Sequence, residues 1–239
     1  MYGTLLTRLL HLATITPLVV IALRRRERRN IQYVLLFALF FLTGSLLRGA
    51  DFLGWGAWNW EGKFCVAVFA IVFVLLYRKI SFAESGVTWR HQPSSLRPCL
   101  VLTTFYVAAG FGIGSLTDSG YGFSTEFLFF ELSMPGLDEE IFYRGVGLAL
   151  LNRAFGKNRN LFGANVGWGL IIISVLFGLV HGVGLTEQLK LEIDLFGVLL
   201  TAGAGFLLGW LRERSGSLVL PIAAHNLGNT ATRVAEWII

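Results

Sequence analysis

An all-α bundle of about eight membrane-spanning helices is the fold this sequence predicts, on three observations. Hydrophobic residues make up 54% of the chain and charged residues only 15%, with a mean hydropathy of +0.64. Typical soluble domains carry about 25% charge, so a polytopic membrane chain is indicated. The apolar residues gather into runs near the ~20 residues that a helix needs to cross the hydrocarbon core. The basic residues lie between those runs, in loops that alternate between rich and poor, which is the signature of membrane topology. The net charge of +5 therefore implies no nucleic-acid partner; the expected surroundings are a lipid bilayer.

The first run, 5–23, is interrupted by Arg8 and His11 and is followed by the basic stretch 24–29. A signal peptide carries its charge ahead of the apolar run, so this one reads as a retained helix. Further spans are expected at 31–48, 62–78, 99–116, 126–151, 163–184, 195–211 and 217–237. The segment 80–98 is the longest polar interval and is expected along the membrane interface, with Trp89 at headgroup level. Loops after spans one, three, five and seven carry five, four, three and two Lys or Arg, fourteen of the twenty in the chain. The alternate loops carry Arg48, Lys63 and Lys190. This places the chain as a multi-pass protein of the cell (inner) membrane with both termini outside the cytoplasm. Cys65 and Cys99 have no ligand partners nearby and are read as packing residues. The small-residue pairs Gly163/Gly167, Gly178/Gly182 and Gly205/Gly209 are read as close helix contacts.

The stretch Asp138-Glu139-Glu140-Ile141-Phe142-Tyr143-Arg144-Gly145 breaks the apolar pattern. Charges at membrane depth are unfavourable by a few kcal/mol each, so they point to function. Glu140 and Arg144 are four apart and share a helix face, which predicts an ion pair. Glu139 points about 100° away and is left to meet another group. Ser133-Met134-Pro135-Gly136 is expected to end one helix and start the next, with the glutamates in its first turn.

Two histidines lie in apolar segments with polar company. His181 ends Phe177-Gly178-Leu179-Val180-His181, and His225 opens His225-Asn226-Leu227-Gly228-Asn229, where Asn229 shares its face. His11 and His91 lack such company and read as incidental. Lipid penalises polar groups that stay apart, so Glu139, His181, His225 and Asn229 are expected to converge. A carboxylate in a dry cavity can act as general base toward water, with a histidine holding that water. A second histidine and an amide can donate to a developing oxyanion. Together these groups could hydrolyse an amide bond within a membrane. A His-Glu-x-x-His zinc helix is absent, and Gly112-Ile113-Gly114-Ser115 is no nucleophile turn. A zinc site built from Glu139, His181 and His225 stays open on ligand chemistry alone. By hydropathy His181 and His225 lie toward opposite ends of their spans, so their meeting requires a span to be tilted, broken or shifted in depth.

Glu139-Glu140-x-x-x-Arg144, Phe177-x-x-x-His181 and His225-x-x-x-Asn229 resemble, in order, the three motifs of the CAAX-protease and bacteriocin-processing family. These are intramembrane endopeptidases that include the CAAX-prenyl endopeptidase. The resemblance covers about 126–232 of a single 1–239 membrane domain, leaving 1–125 as accessory spans and an interfacial segment. It implies that Glu139 and His181 activate water, that His225 and Asn229 form the oxyanion site, and that Glu140, Arg144 and Phe177 are structural support. It implies a membrane-anchored protein or peptide as substrate and, in the glutamate-activated form, no metal cofactor. Two other classes stay in view: a non-catalytic immunity or scaffold protein of the same family, and a proton-coupled transporter. Against transport stands the lack of a repeated half with matching broken helices.

Overall fold

The computed structural model describes residues 2–24, 30–117, 120 and 122–239. The fold is an all-α bundle. In chain order it consists of α1 (Tyr2–Leu23), α2 (Ile31–Leu47), α3 (Trp60–Leu76), α4 (Leu96–Gly114), α5 (Thr125–Glu139), a π-helical segment (Glu140–Gly147) and α6 (Leu148–Phe155). There follow the hairpin β1–β2 (Arg159–Leu161, Ala164–Val166), α7 (Trp168–Gly182), the hairpin β3–β4 (Val183–Leu185, Leu191–Ile193), α8 (Leu195–Ser215) and α9 (Val219–Ile238). Because α5, the π segment and α6 run on without a gap, the described residues form eight helical runs, one overlapping each predicted apolar stretch. Thr4–Leu23, Leu96–Gly114 and Leu195–Ser215 are long and apolar enough to cross a membrane, whereas Ile31–Leu47 and Trp168–Gly182 are apolar but shorter. Leu35, Leu39, Leu75, Leu76, Val101, Phe105 and Leu199 point outward and are exposed, as side chains facing lipid do. Most of the basic stretch 24–29, on which the orientation argument leaned first, lies outside the described residues.

The chain departs from expectation at Pro135. Helix α5 continues through it, so Ser133–Gly136 is not a break. A proline removes one donor and pushes aside a carbonyl one turn back, and the freed groups need other partners. The buried Asn226 of α9 braces the backbone on both sides of the proline: its Oδ1 accepts from Gly136 N at 2.7 Å and its Nδ2 donates to the Ser133 carbonyl at 3.1 Å. The irregularity falls one turn later, where residues 140–147 widen into a π-helix, a feature that often marks functional sites. Phe142 anchors this wide turn, stacking on Phe40 of α2 at 4.6 Å.

The expected span at 163–184 is likewise shorter. Its first residues form the β1–β2 hairpin, in which Phe162 (φ 49°) and Gly163 (φ 84°) make the two-residue, left-handed turn that suits twisted strands. Gly163 and Gly167 are therefore hairpin residues, not a helix contact. Gly178 and Gly182 behave as expected and let α7 lie against the backbone of α8 at Val198 and Asp194. Gly205 admits Arg144 and Phe177, and Gly209 admits Leu170. On the other side Gly110 and Gly114 bring α4 against α9 at Gly228 and Thr232. Both cysteines are free.

The 80–98 segment is only partly interfacial. Trp89 is exposed, but Ile80, Ser85 and Ser95 are buried because the chain turns inward beneath α9. Leu218 N donates to Gly86 O at 2.9 Å, and Ser217 Oγ donates to Thr88 O. Helix α9 therefore begins inside the bundle, with Leu218 level with Gly145 of the π segment. α9 runs antiparallel to α5–α6, so one and a half to two turns along each brings His225 beside Glu140. Meanwhile α7 has only 15 residues and ends at Gly182, one residue past His181. A raised start for α9 and a short α7 together resolve the depth mismatch between the two histidines.

Candidate functional site

Three consecutive acids face three different ways, and each finds a cation. Asp138 is fully buried and takes Arg48 in a two-pronged ion pair at 3.0 and 2.8 Å. Glu139 Oε1 takes Lys63 at 2.8 Å, and Lys63 also lies 3.5 Å from Asp138. Glu140 Oε1 takes Arg144 at 3.0 Å, as the four-residue spacing predicts. Three carboxylates against three cations leave this buried cluster neutral, which is what a medium of low polarity requires. Arg48 and Lys63 thus are not free loop charges of the chain's topology but partners of the acids.

The second oxygen of Glu139 is different. Oε2 is buried and accepts no hydrogen bond among the described residues. It lies 3.8 Å from His181 Nε2 and 4.0 Å from His225 Nε2. Both histidines use their other nitrogen elsewhere: His181 Nδ1 donates to Phe177 O at 2.7 Å, and His225 Nδ1 donates to Glu140 Oε1 at 2.8 Å. A carbonyl only accepts, so the His181 proton is on Nδ1 and the neutral ring offers Nε2 as an acceptor. Both rings are therefore turned so that Nε2 faces Glu139. The separations are too long for direct hydrogen bonds and suit a water molecule bonded to two of the three groups.

Phe177 holds this arrangement from behind. The Arg144 guanidinium lies 4.1 Å over its ring, and Phe177 packs edge-on to Tyr143 at 5.2 Å and beside His181 at 4.4 Å. Asn229 makes its hydrogen bond to another acid. Its Nδ2 donates to Oε2 of the buried Glu131 at 3.0 Å. His11 is not incidental: it is fully buried and its Nε2 donates to Val183 O at 2.9 Å, tying α1 to the residue two after His181. A cavity lined by Arg8 of α1 and by the β3–β4 hairpin reaches His181 from this side.

Tetrahedral zinc with ligands at ~2.0–2.1 Å draws them to about 3.3 Å from one another, closer than the 3.8 and 4.0 Å seen. Lys63 also occupies the other oxygen of the carboxylate. Among the described residues no group of three or more His, Cys, Asp or Glu is disposed to hold a metal.

Residues 122–231 match the family model described as Type II CAAX prenyl endopeptidase Rce1-like. Over these 110 of its 239 residues the chain is similar to the CAAX-protease family. No curated protein and no solved structure matches it. The matched region contains every motif residue from Glu139 to Asn229, together with Glu131 and Asn226, which the sequence reading passed over. The match supports a protease-type function for this region. Arg48 and Lys63 lie outside the matched region, in the accessory spans. One signal pointed to them: three acids in succession with a single arginine leave two negative charges to be balanced from elsewhere.

Proposed function

We propose that the protein is an intramembrane endopeptidase that cuts a peptide bond of a membrane-anchored protein or peptide. The observation that carries this reading is Glu139 Oε2, buried and unbonded, with the Nε2 atoms of His181 and His225 turned toward it at 3.8 and 4.0 Å. A water held between Glu139 and His181 gives its proton to Glu139 as its oxygen attacks the scissile carbonyl. Lys63 fixes the carboxylate by its far oxygen, so that Oε2 faces the water. The oxyanion that forms is met by His225, held by Glu140 against Nδ1, and by Asn229. The Asn229 amide has two N–H groups and spends one on Glu131, which leaves the other for the oxyanion. Collapse of the tetrahedral intermediate breaks the C–N bond, and the proton on Glu139 passes to the leaving amine. One water is consumed and an acid and an amine are released, with no metal in the sequence of steps.

The test is co-expression with a panel of membrane-anchored substrates, comparing wild type and Glu139→Ala by the mass of the product. Cleavage by wild type alone is expected. Specific binding without cleavage by the wild type across the panel would move the protein to a scaffold or immunity role.

A further inference from the structure

At the end of the bundle away from Glu139, the C-terminal ends of α6 and α8 meet the chain segment that runs beneath α9. They enclose a cavity of about 550 Å³ whose walls include Arg90, His91, Asn152, Arg153, Lys157 and Arg212. Two acids answer these four cations. Glu84 pairs with Arg153, and Glu213 takes Lys157 at 2.9 Å with Arg212 at 3.6 Å. Two positive charges are left over.

Residues of its wall also carry buried polar atoms without partners among the described residues. Arg212 is only 4% exposed; it donates from Nη2 to Glu84 O, while its buried Nε has no acceptor among the described residues. The buried His91 Nδ1 is likewise unmatched among the described residues. Buried polar groups are normally satisfied, so unmatched donors at a basic wall indicate an absent acceptor of negative charge. The Arg90 side chain is exposed and makes no ion pair among the described residues. Trp89 beside it is 86% exposed, placed as an aromatic ring at headgroup level is. Unmatched donors, excess positive charge and an interfacial position occur together here.

We propose that this cavity binds the phosphate group of an anionic lipid headgroup. Basic pockets between helices at a membrane surface take such groups, the charge drawing the lipid and the guanidinium forks meeting phosphate oxygens. Inorganic phosphate presents the same oxygens, and the experiment separates the two sources. It does not depend on Glu139 or on any cleavage reaction.

The full chain in neutral detergent is titrated with dioleoylphosphatidylglycerol, dioleoylphosphatidylcholine or inorganic phosphate, and bound ligand is counted by native mass spectrometry. Phosphatidylglycerol is expected to bind at one site more tightly than phosphatidylcholine. Arg90→Gln, at an exposed position, is expected to weaken it about fivefold, as loss of one basic residue near an anionic surface does. Arg78→Gln removes the same charge from an exposed position outside the cavity and is expected to leave binding unchanged. Competition by millimolar inorganic phosphate would assign the site to free phosphate as well as lipid; its failure to compete would assign it to lipid. Equal binding of the two lipids, or equal losses in the two variants, would overturn the proposal.

Discussion

Glu139 carries its two oxygens in unlike surroundings, one against an ammonium group and one facing two imidazoles. Lys63→Met frees the first oxygen to rotate, and misplacing a reacting group by about 1 Å is worth ~10²-fold in rate. Lys63→Met is therefore expected to lower kcat by roughly 10–100-fold with little change in KM, and Lys63→Arg to restore part of the loss. Wild-type turnover in Lys63→Met, measured by single-turnover cleavage, would remove Lys63 from the site. Glu140 answers to two partners, so Glu140→Gln is expected to act twice. It strands the fully buried Arg144, a loss of about 3–5 kcal/mol for a broken buried pair, read as a lower melting temperature. It also loosens His225, read as slower cleavage by the protein that stays folded. The Glu140–Arg144 pair was legible in the sequence because helical geometry places residues four apart on one face. The Lys63–Glu139 pair was not, because it joins positions 76 apart that only tertiary packing brings together.

At the scale of elements, helix existence was legible from the apolar runs, and helix interruption was not. Pro135 reads as a stop by local rules, yet α5 passes through it because Asn226, 90 residues on, bonds to Gly136 N–H and helps to satisfy the Ser133 carbonyl. Asn226→Ala is expected to leave both groups buried without these partners and to destabilise the protein by about 2–4 kcal/mol. Thermal unfolding in detergent measures this. An unchanged melting temperature would show that water replaces the amide. Both hairpins were also missed, since strands of three residues are too short to show a period of two. The raised start of α9 escaped notice for a related reason: hydropathy reports how long a helix is, not how deep it begins.

At the scale of the whole molecule, the family-matched region does not close its own charge balance. Asp138 and Glu139 take their cations from Arg48 and Lys63, and α4 covers α9 through Gly110 and Gly114. A fragment of residues 121–239 expressed alone is expected to be degraded and inactive, and co-expression with residues 1–120 to restore both yield and cleavage. Full activity of the isolated fragment would show the accessory spans to be dispensable. The short α7 has a consequence for the approach to Glu139. Its 15 residues rise about 22 Å, against about 31 Å for the 21 residues of α8 beside it. Because α7 is mostly enclosed by its neighbours, the shortfall opens as the cavity beside the β3–β4 hairpin that reaches His181. Water is then expected to reach Glu139 through this recess, without crossing the hydrocarbon around the bundle.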